Sequence, residues 1–140
     1  MSDGTFEKVT QSEKALYGPR KLLLCGFATS MQANFAKVLG FTGLADLDVV
    51  WVAADQADDE IGQLMELAPA TGKGTDSNLP RAIVVAGISE NELHNLMNTC
   101  RTSGMKSALW AVLTPVSEKW TLRQLLAELE AERTALQDKA

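Results

Sequence analysis

Four short runs of almost continuously apolar residues divide the chain, and each has the length of a β-strand. They cover residues 21–26, 48–53, 81–86 and 107–113. None of them alternates between apolar and polar positions, as a strand with one exposed face would. Strands that are apolar on both sides are typical of a parallel sheet covered by helices on both faces. The pattern therefore predicts an α/β domain with a four-stranded, mainly parallel open sheet.

Helical periodicity follows each of the four runs. In residues 31–39, for example, apolar side chains recur at the spacing of a helix that buries one face. Two helix starts match a capping box, Ser89 with Glu92 and Thr121 with Gln124. The order of elements is then βαβαβαβα, and we expect a short flavodoxin-like sheet with the strand order 2-1-3-4. We find no internal repeat beyond this βα unit.

Two segments fit this pattern less well. Residues 1–20 are predicted to form either an N-terminal arm or a short helix between Thr10 and Tyr17, and residues 21–140 then form a single domain. Residues 69–80 are polar, rich in turn-forming residues and long for a connection between a helix and a strand. The glycine–lysine–glycine turn at 72–74 lacks the spacing of a phosphate-binding loop. We interpret this segment as a flexible connector at the amino edge of the sheet.

Composition and charge reduce the number of functions that the protein could have. With 140 residues, of which 46% are hydrophobic, the chain has the size and apolar content of one globular domain. Its 13 basic and 18 acidic residues leave a net charge of −5 without a cluster of lysines and arginines, which argues against a protein that coats nucleic acid. No apolar run approaches the ~18 residues of a membrane span, and the polar start resembles no secretory signal. We therefore expect a cytoplasmic protein without nucleic-acid or membrane partners.

Few residues offer catalytic chemistry. Cys25 and Cys100 belong to no CxxC motif, so we expect two buried, reduced thiols, with a disulfide or a metal pair as the alternative. His94 is the single histidine, and no nucleophile stands at a suitable spacing from it. The acidic residues between 55 and 60 suit either a hard cation or the dipole of a helix start, and we favour the dipole. We expect no catalytic residue, no metal and no cofactor.

A ligand site, if the domain has one, is expected at a single edge of the sheet. In parallel sheets, ligands bind outside the carboxyl ends of the strands, where helix starts present free N–H groups. The candidate ligand-binding residues in the loops at this edge are Thr29, Ser30, Asp55, Gly87, Ser89, Thr114, Pro115, Trp120 and Thr121. Helix capping explains most of them without a ligand. For Trp120, we favour a hydrophobic staple with Leu125 over a position in the wall of a groove.

Three segments of the chain read LPRAIVVAGIS (79–89), AVLTP (111–115) and KWTLRQLL (119–126). Together they resemble a bacterial family described as a domain of unknown function. The family's motifs are a strand followed by Gly-Leu-Ser, a Leu-Thr-Pro strand end and a Trp-Thr-Leu helix start, and here Ile88 replaces the usual leucine. The resemblance covers about residues 79–130. It implies no activity and no catalytic residue, and it directs attention to six of the candidates, Gly87, Ser89, Thr114, Pro115, Trp120 and Thr121.

The sequence shows the complete pattern of a fold but no recognisable set of catalytic residues. We therefore expect a non-catalytic module that binds a partner or associates with itself. The partner would be another protein or a second copy of the chain. The alternative is a regulatory domain that responds to a small anion or a nucleotide bound at the carboxyl edge of the sheet.

Overall fold

The fold follows the predicted order of elements. The computed structural model describes residues 14–104 and 108–139. The elements are β1 (Lys21–Cys25), α1 (Thr29–Phe41), β2 (Asp48–Val52), α2 (Ile61–Met65), β3 (Ala82–Ala86), α3 (Glu90–Thr102), β4 (Leu109–Val112) and α4 (Leu122–Lys139). Two 3₁₀ turns, Ala54–Gln56 and Ser117–Lys119, precede α2 and α4. The prediction of four strands, each followed by a helix, is confirmed.

The N-terminal segment is described only from residue 14 onwards, so the predicted helix start at Thr10 lies outside the described residues. Ala15 forms an isolated antiparallel bridge with Ser89, and the Leu16 N–H donates to the Ile88 carbonyl oxygen at 2.7 Å. Residues 14–17 therefore contain no helix and pair with the turn that precedes α3.

The direction of the strands differs from the prediction at the centre of the sheet. The strand order is β2-β1-β3-β4, as predicted. β1 is parallel to β2 and β3 is parallel to β4, but β1 and β3 pair antiparallel. The expectation of a flavodoxin-like sheet is therefore wrong. The sheet is mixed, and it consists of two parallel pairs that run in opposite directions.

The connection between β2 and β3 explains this reversal, because it crosses the sheet twice. α2 first leads the chain back along one face, and its end is fixed by the buried Lys21 at the start of β1. The Lys21 Nζ donates to the carbonyl oxygens of Met65 and Leu67 at 2.7 and 2.6 Å. This ammonium group binds carbonyl groups that the end of a helix leaves without partners.

The connector (residues 69–80) makes the second crossing along the outer edge of β2. The Ala70 N–H donates to the Val49 carbonyl oxygen at 2.8 Å, and the Trp51 N–H donates to the Thr71 carbonyl oxygen at 2.8 Å. The chain thus returns to the edge where β2 ended, and β3 starts there. The connector is long because it spans the sheet, and it covers the backbone of an edge strand on the way.

Helices cover both faces of the sheet, as predicted. On one face, α1 and α3 bury Phe35 and Leu96 against the strands, and on the other face α2 and α4 bury Ile61 and Leu122. These side chains and the central strands are almost inaccessible to water, so apolar burial stabilises both layers. Among residues 14–104 and 108–139, no helix is long and apolar enough to cross a membrane.

The two cysteines are free and buried, as predicted. Cys25 belongs to the core on the face of α2 and α4, whereas Cys100 belongs to the core on the opposite face. Because the sheet separates the two thiols, they can neither form a disulfide with each other nor share a metal ion. Burial raises the pKa of Cys25 to about 12 and that of Cys100 to about 11.

The two halves of the sheet are copies of one βαβ unit. β1 and β3, α1 and α3, and β2 and β4 each begin 61 residues apart. In each half a proline and an arginine precede the first strand, at 19–20 and 80–81, and a glycine follows it. These glycines, Gly26 and Gly87, have φ values of 75° and 72°. The expectation of no internal repeat is therefore wrong: each residue of the first half has a counterpart 61 positions further on.

An approximate twofold axis relates the two halves. Leu23 at the middle of β1 pairs with its own counterpart, Val84 of β3. The contacts at the ends of these strands are reciprocal. A β-carbon on Gly26 would lie 2.3 Å from the Leu79 carbonyl oxygen, and one on Gly87 would lie 2.4 Å from the Arg20 nitrogen. Each glycine therefore provides both a left-handed turn and room for the backbone of the other half.

We predict that Gly87→Ala destabilises the protein far more than Gly104→Ala. Both glycines have a positive φ, of 72° and 77°, but a β-carbon at position 104 would have no atom within 4 Å. Gly104→Ala should cost about 1 kcal/mol from backbone strain alone, and Gly87→Ala about 3 kcal/mol or more, because the backbone of the other half must also move. Urea unfolding of the two variants measures the difference, and equal losses would contradict the close packing between the halves.

Candidate functional site

The expectation that all candidate residues lie at one edge of the sheet is wrong, because the antiparallel pairing of β1 with β3 places most of them at two opposite edges. We call the edge at the carboxyl ends of β1 and β2 the first edge, and the edge at the carboxyl ends of β3 and β4 the second edge. Three candidates lie at the first edge: Thr29, Ser30 and Asp55. Four lie at the second edge: Gly87, Ser89, Thr114 and Pro115. The candidates therefore do not surround one cavity.

Trp120 and Thr121 lie apart from both groups, where the start of α4 meets the start of α2. The Ile61 N–H donates to the Trp120 carbonyl oxygen at 2.9 Å, and Thr121 forms an isolated bridge with Glu60. The half-buried Trp120 packs against the apolar cluster that contains Leu125. This arrangement agrees with the hydrophobic staple that the sequence favours.

The start of α1 is bound by a carboxylate of the chain itself. The N–H and the side-chain hydroxyl of Thr29 both donate to Asp76 Oδ1 at 2.6 Å. These two hydrogen bonds hold the pKa of the Asp76 carboxyl below its usual value. Gln32 fixes the same stretch of the connector, since its side chain accepts from the Gly74 N–H at 2.8 Å and donates to the Thr75 carbonyl oxygen at 3.2 Å. A helix start that could bind an anion is thus occupied from within.

The start of α3 is closed by the predicted capping box and by an arginine. Glu92 N–H donates to the Ser89 hydroxyl at 3.1 Å, and Ser89 N–H donates to Glu92 Oε1 at 2.8 Å. The guanidinium of Arg20 donates to both oxygens of the same carboxylate at 2.8 and 2.6 Å. This ion pair, together with the bonds from Ser89, lowers the pKa of Glu92 from 4.5 to about 2.

The hydroxyl groups near the end of β4 are also engaged. Thr114 and Ser117 form a reciprocal turn, in which each backbone N–H donates to the other's hydroxyl at 3.0 and 2.9 Å. Thr121 and Gln124 form the second predicted capping box, with bonds of 2.9 and 3.2 Å. Pro115 is exposed. Each hydroxyl that the sequence singled out here therefore has a structural partner.

The acidic residues after β2 do not form a metal site. Asp55 and Asp59 are exposed, and Asp58 accepts a hydrogen bond from Arg123 Nε at 2.8 Å across an exposed ion pair. In the part of the chain that the structure describes, no group of three histidine, cysteine, aspartate or glutamate side chains could hold a metal ion. His94 is exposed on α3.

An apolar groove lies between α1 and the connector, over the edge of β2. Its volume is about 660 Å³. The floor is formed by apolar side chains of α1, β2 and the loop between them, which are Leu39, Leu47, Val49 and Trp51. Ala33 and Ala36 form the wall on α1, and Lys73 stands on the connector side. Thr29 is the only candidate from the sequence that borders this groove.

Comparison of the two repeats explains why the groove is present in the first half of the molecule. Three positions of the groove hold larger side chains at their counterparts in the second half: Ala33 corresponds to His94, Ala36 to Met97 and Val49 to Trp110. The opposite holds for Leu39, Leu47 and Trp51, which correspond to the smaller Cys100, Ala108 and Val112. These three larger side chains do not fill the groove, because all of them are buried. The Trp51 ring, for example, makes edge-to-face contacts with Phe27 and Phe35, with centroids 5.8 and 6.2 Å apart. Only the repeat could have identified the groove from the sequence.

Residues 81–136 match the family model described as Domain of unknown function (DUF3783), which confirms the resemblance seen in the sequence. The match spans β3, α3, β4 and most of α4, so it covers the second half of the sheet. The first half and the apolar groove lie outside it. No curated protein and no solved structure matches the chain significantly.

We predict an acid-dependent loss of stability that depends on Glu92. Its pKa is lowered on folding, so the ion pair with Arg20 stabilises the fold above about pH 4.5 and is lost as the pH falls towards about 2. Because the pair is partly exposed, we expect Glu92→Gln to cost about 1–2 kcal/mol at neutral pH and almost nothing below pH 2.

Thermal unfolding between pH 2 and pH 7 measures this contribution as the difference between wild type and variant. Glu90→Gln in the same helical turn is the matched control, because Glu90 is exposed and makes none of the bonds of Glu92. A difference between wild type and Glu92→Gln that does not change with pH would contradict the assignment.

Proposed function

We propose that the domain is a non-catalytic binding module and that the apolar groove beside α1 is its binding site. The observation that carries this proposal is the contrast between the two copies of the βαβ unit. The first half has a groove of about 660 Å³ beside Ala33, Ala36 and Val49. The second half has the same fold, but it carries the larger His94, Met97 and Trp110 at these positions. The fold itself therefore does not require the groove.

The side chains that could react are buried or take part in structural hydrogen bonds, which supports a role without catalysis. The thiols of Cys25 and Cys100 are buried and have raised pKa values, so neither is a ready nucleophile. Ser89 and Thr114 use their hydroxyls in caps and turns. Nucleophilic catalysis needs a base beside the nucleophile, and the exposed His94 bonds to neither hydroxyl.

The alternative of an anion- or nucleotide-responsive domain has less support. It requires free N–H groups at helix starts that converge on one edge of the sheet. In this chain, Asp76 binds the start of α1, and Ser89 with Glu92 closes the start of α3 at the opposite edge. An anion would have to displace a carboxylate of the chain at the first edge or break a capping box at the second.

The shape and lining of the groove indicate the class of ligand. Ligand pockets of about 300–1,000 Å³ with mostly apolar walls and a few polar groups are typical of sites for small molecules or for apolar side chains of a partner. Here the floor is apolar, and the exposed Lys73 is a basic residue of the lining. We therefore propose a ligand with an apolar body and an acidic group.

Anilinonaphthalene sulfonate, an apolar aromatic anion, is a suitable probe. We predict one saturable site on the native wild type, measured by fluorescence titration. Ala33→His/Ala36→Met, which introduces the side chains of the second half, should weaken binding about tenfold or more, because it fills the groove. Lys73→Ala should weaken binding less, and mainly at low ionic strength.

Ala127→Met is the matched control for the Ala36→Met change, because it makes the same substitution at an exposed alanine on α4, which packs on the opposite face of the sheet from α1. It should leave the affinity for the probe unchanged. Circular dichroism establishes that each variant is folded. Unchanged affinity in the filled variant, or the absence of a saturable site on the wild type, would overturn the groove as the binding site.

A further inference from the structure

The backbone of β4 has one bonded edge and one outward edge. On the inner side, the Leu109 N–H donates to the Arg81 carbonyl oxygen and the Leu113 N–H to the Val85 carbonyl oxygen, both at 2.9 Å. Along a strand, successive residues direct their backbone groups to opposite sides. The N–H and carbonyl groups of residues 110 and 112 therefore point away from β3.

The first half of the molecule shows what such an edge binds. The counterparts of residues 110 and 112 are Val49 and Trp51 in β2. Their outward groups bond to the connector, Val49 through its carbonyl oxygen and Trp51 through its N–H, at 2.8 Å each. In the second half the chain continues from β4 into α4 as far as Lys139, and no described segment follows the outer edge of β4. Among residues 14–104 and 108–139, no backbone group bonds to the outer edge of β4.

The edge of β4 also lacks the features that keep exposed strands apart. Edge strands are commonly protected by charged side chains, by prolines or by bulges. β4 has the sequence LWAV, with neither a charge nor a proline, and it pairs with β3 in continuous register. Trp110, Ala111 and Val112 are each only half-buried. The strand therefore presents an apolar, bonding-competent edge.

We propose that a second copy of this chain pairs with β4 across a twofold axis, which forms one continuous eight-stranded sheet. Antiparallel pairing centred on Ala111 places Trp110 opposite Val112 of the partner subunit, and all four outward N–H and carbonyl groups of that pair then bond. Ala111 meets its own copy at the axis, where its small side chain allows the close approach of about 4.5 Å that such a position requires. Trp110 and the partner's Val112 form an aromatic and β-branched pair, which is favourable between strands.

A second copy suits this edge because the two outward residues are self-complementary. Residues 110 and 112 exchange roles under a twofold axis, so one short strand satisfies both copies at once. The interface is independent of the proposed ligand groove. The groove lies over β2 and α1 at the opposite side of the sheet, and the dimer leaves both grooves open.

Sedimentation equilibrium of the full chain tests the proposal directly. We expect a concentration-dependent rise from the monomer mass of 15.1 kDa to twice that value. Val112→Pro should be a folded monomer, because the N–H that proline removes donates to no described residue of the same chain. Val112→Ala, which keeps this N–H, is the matched control and should still dimerise. A monomeric wild type at all concentrations, or a dimer that persists in Val112→Pro, would overturn the proposal.

Amide hydrogen exchange of the wild type provides a second measurement that needs no variant. When the protein concentration is raised, the exchange rates of the Trp110 and Val112 amides should fall by about tenfold or more. The exchange rates of the Leu109 and Leu113 amides, which already bond to β3, should not change. Protection of Trp110 and Val112 that is independent of concentration would assign the edge to another segment of the same chain and overturn the dimer. Exchange without protection at every concentration would overturn it too.

Discussion

The antiparallel pairing of β1 with β3 is the interaction on which the rest of the structure depends. It joins two copies of a βαβ unit along five residue pairs, from Lys21 with Ala86 to Cys25 with Ala82. Because the two units run in opposite directions, the strand ends separate to opposite edges, and the glycine turn of each unit packs against the backbone of the other. The pairing thus determines where loops meet, which strands are outermost and which surfaces remain to be used.

The two surfaces that we propose for binding arise where the two copies differ. The first copy is followed by a connector that covers its outer strand, and its helix carries small residues where the second copy has large ones. Among the described residues, no segment covers the outer strand of the second copy, and the larger Met97 and Trp110 stand at the counterparts of groove residues. The first half therefore offers a groove beside a covered strand edge, and the second half offers an outer strand edge that no described residue covers. A symmetrical scaffold presents two different surfaces.

Local patterns predicted the local structure well. Apolar runs identified all four strands, and the capping boxes at Ser89 and Thr121 form as expected, because both depend on residues close in sequence. An apolar run carries no information about its direction, so β3 could not be oriented from its own residues. The unusual length of the segment 69–80 was the available signal that the chain crosses the sheet again before β3. The bond from Thr29 to Asp76 spans 47 positions and follows only from the path of the connector. The repeat was missed because its identities are few, chiefly residues 19–20 with 80–81 and Gly26 with Gly87.

The connector along β2 also limits how far such sheets can grow. A sheet with two accessible sides can add copies one after another and lengthen into a fibre. Here the backbone bonds of Ala70 and Thr71 seal one side, and Gly72 allows this close approach, since a β-carbon there would lie 2.0 Å from the Trp51 carbonyl oxygen. With a single side left for pairing, the assembly that we propose would end at two chains. On this proposal, a turn of a few residues along β2 would also limit aggregation through the sheet edge.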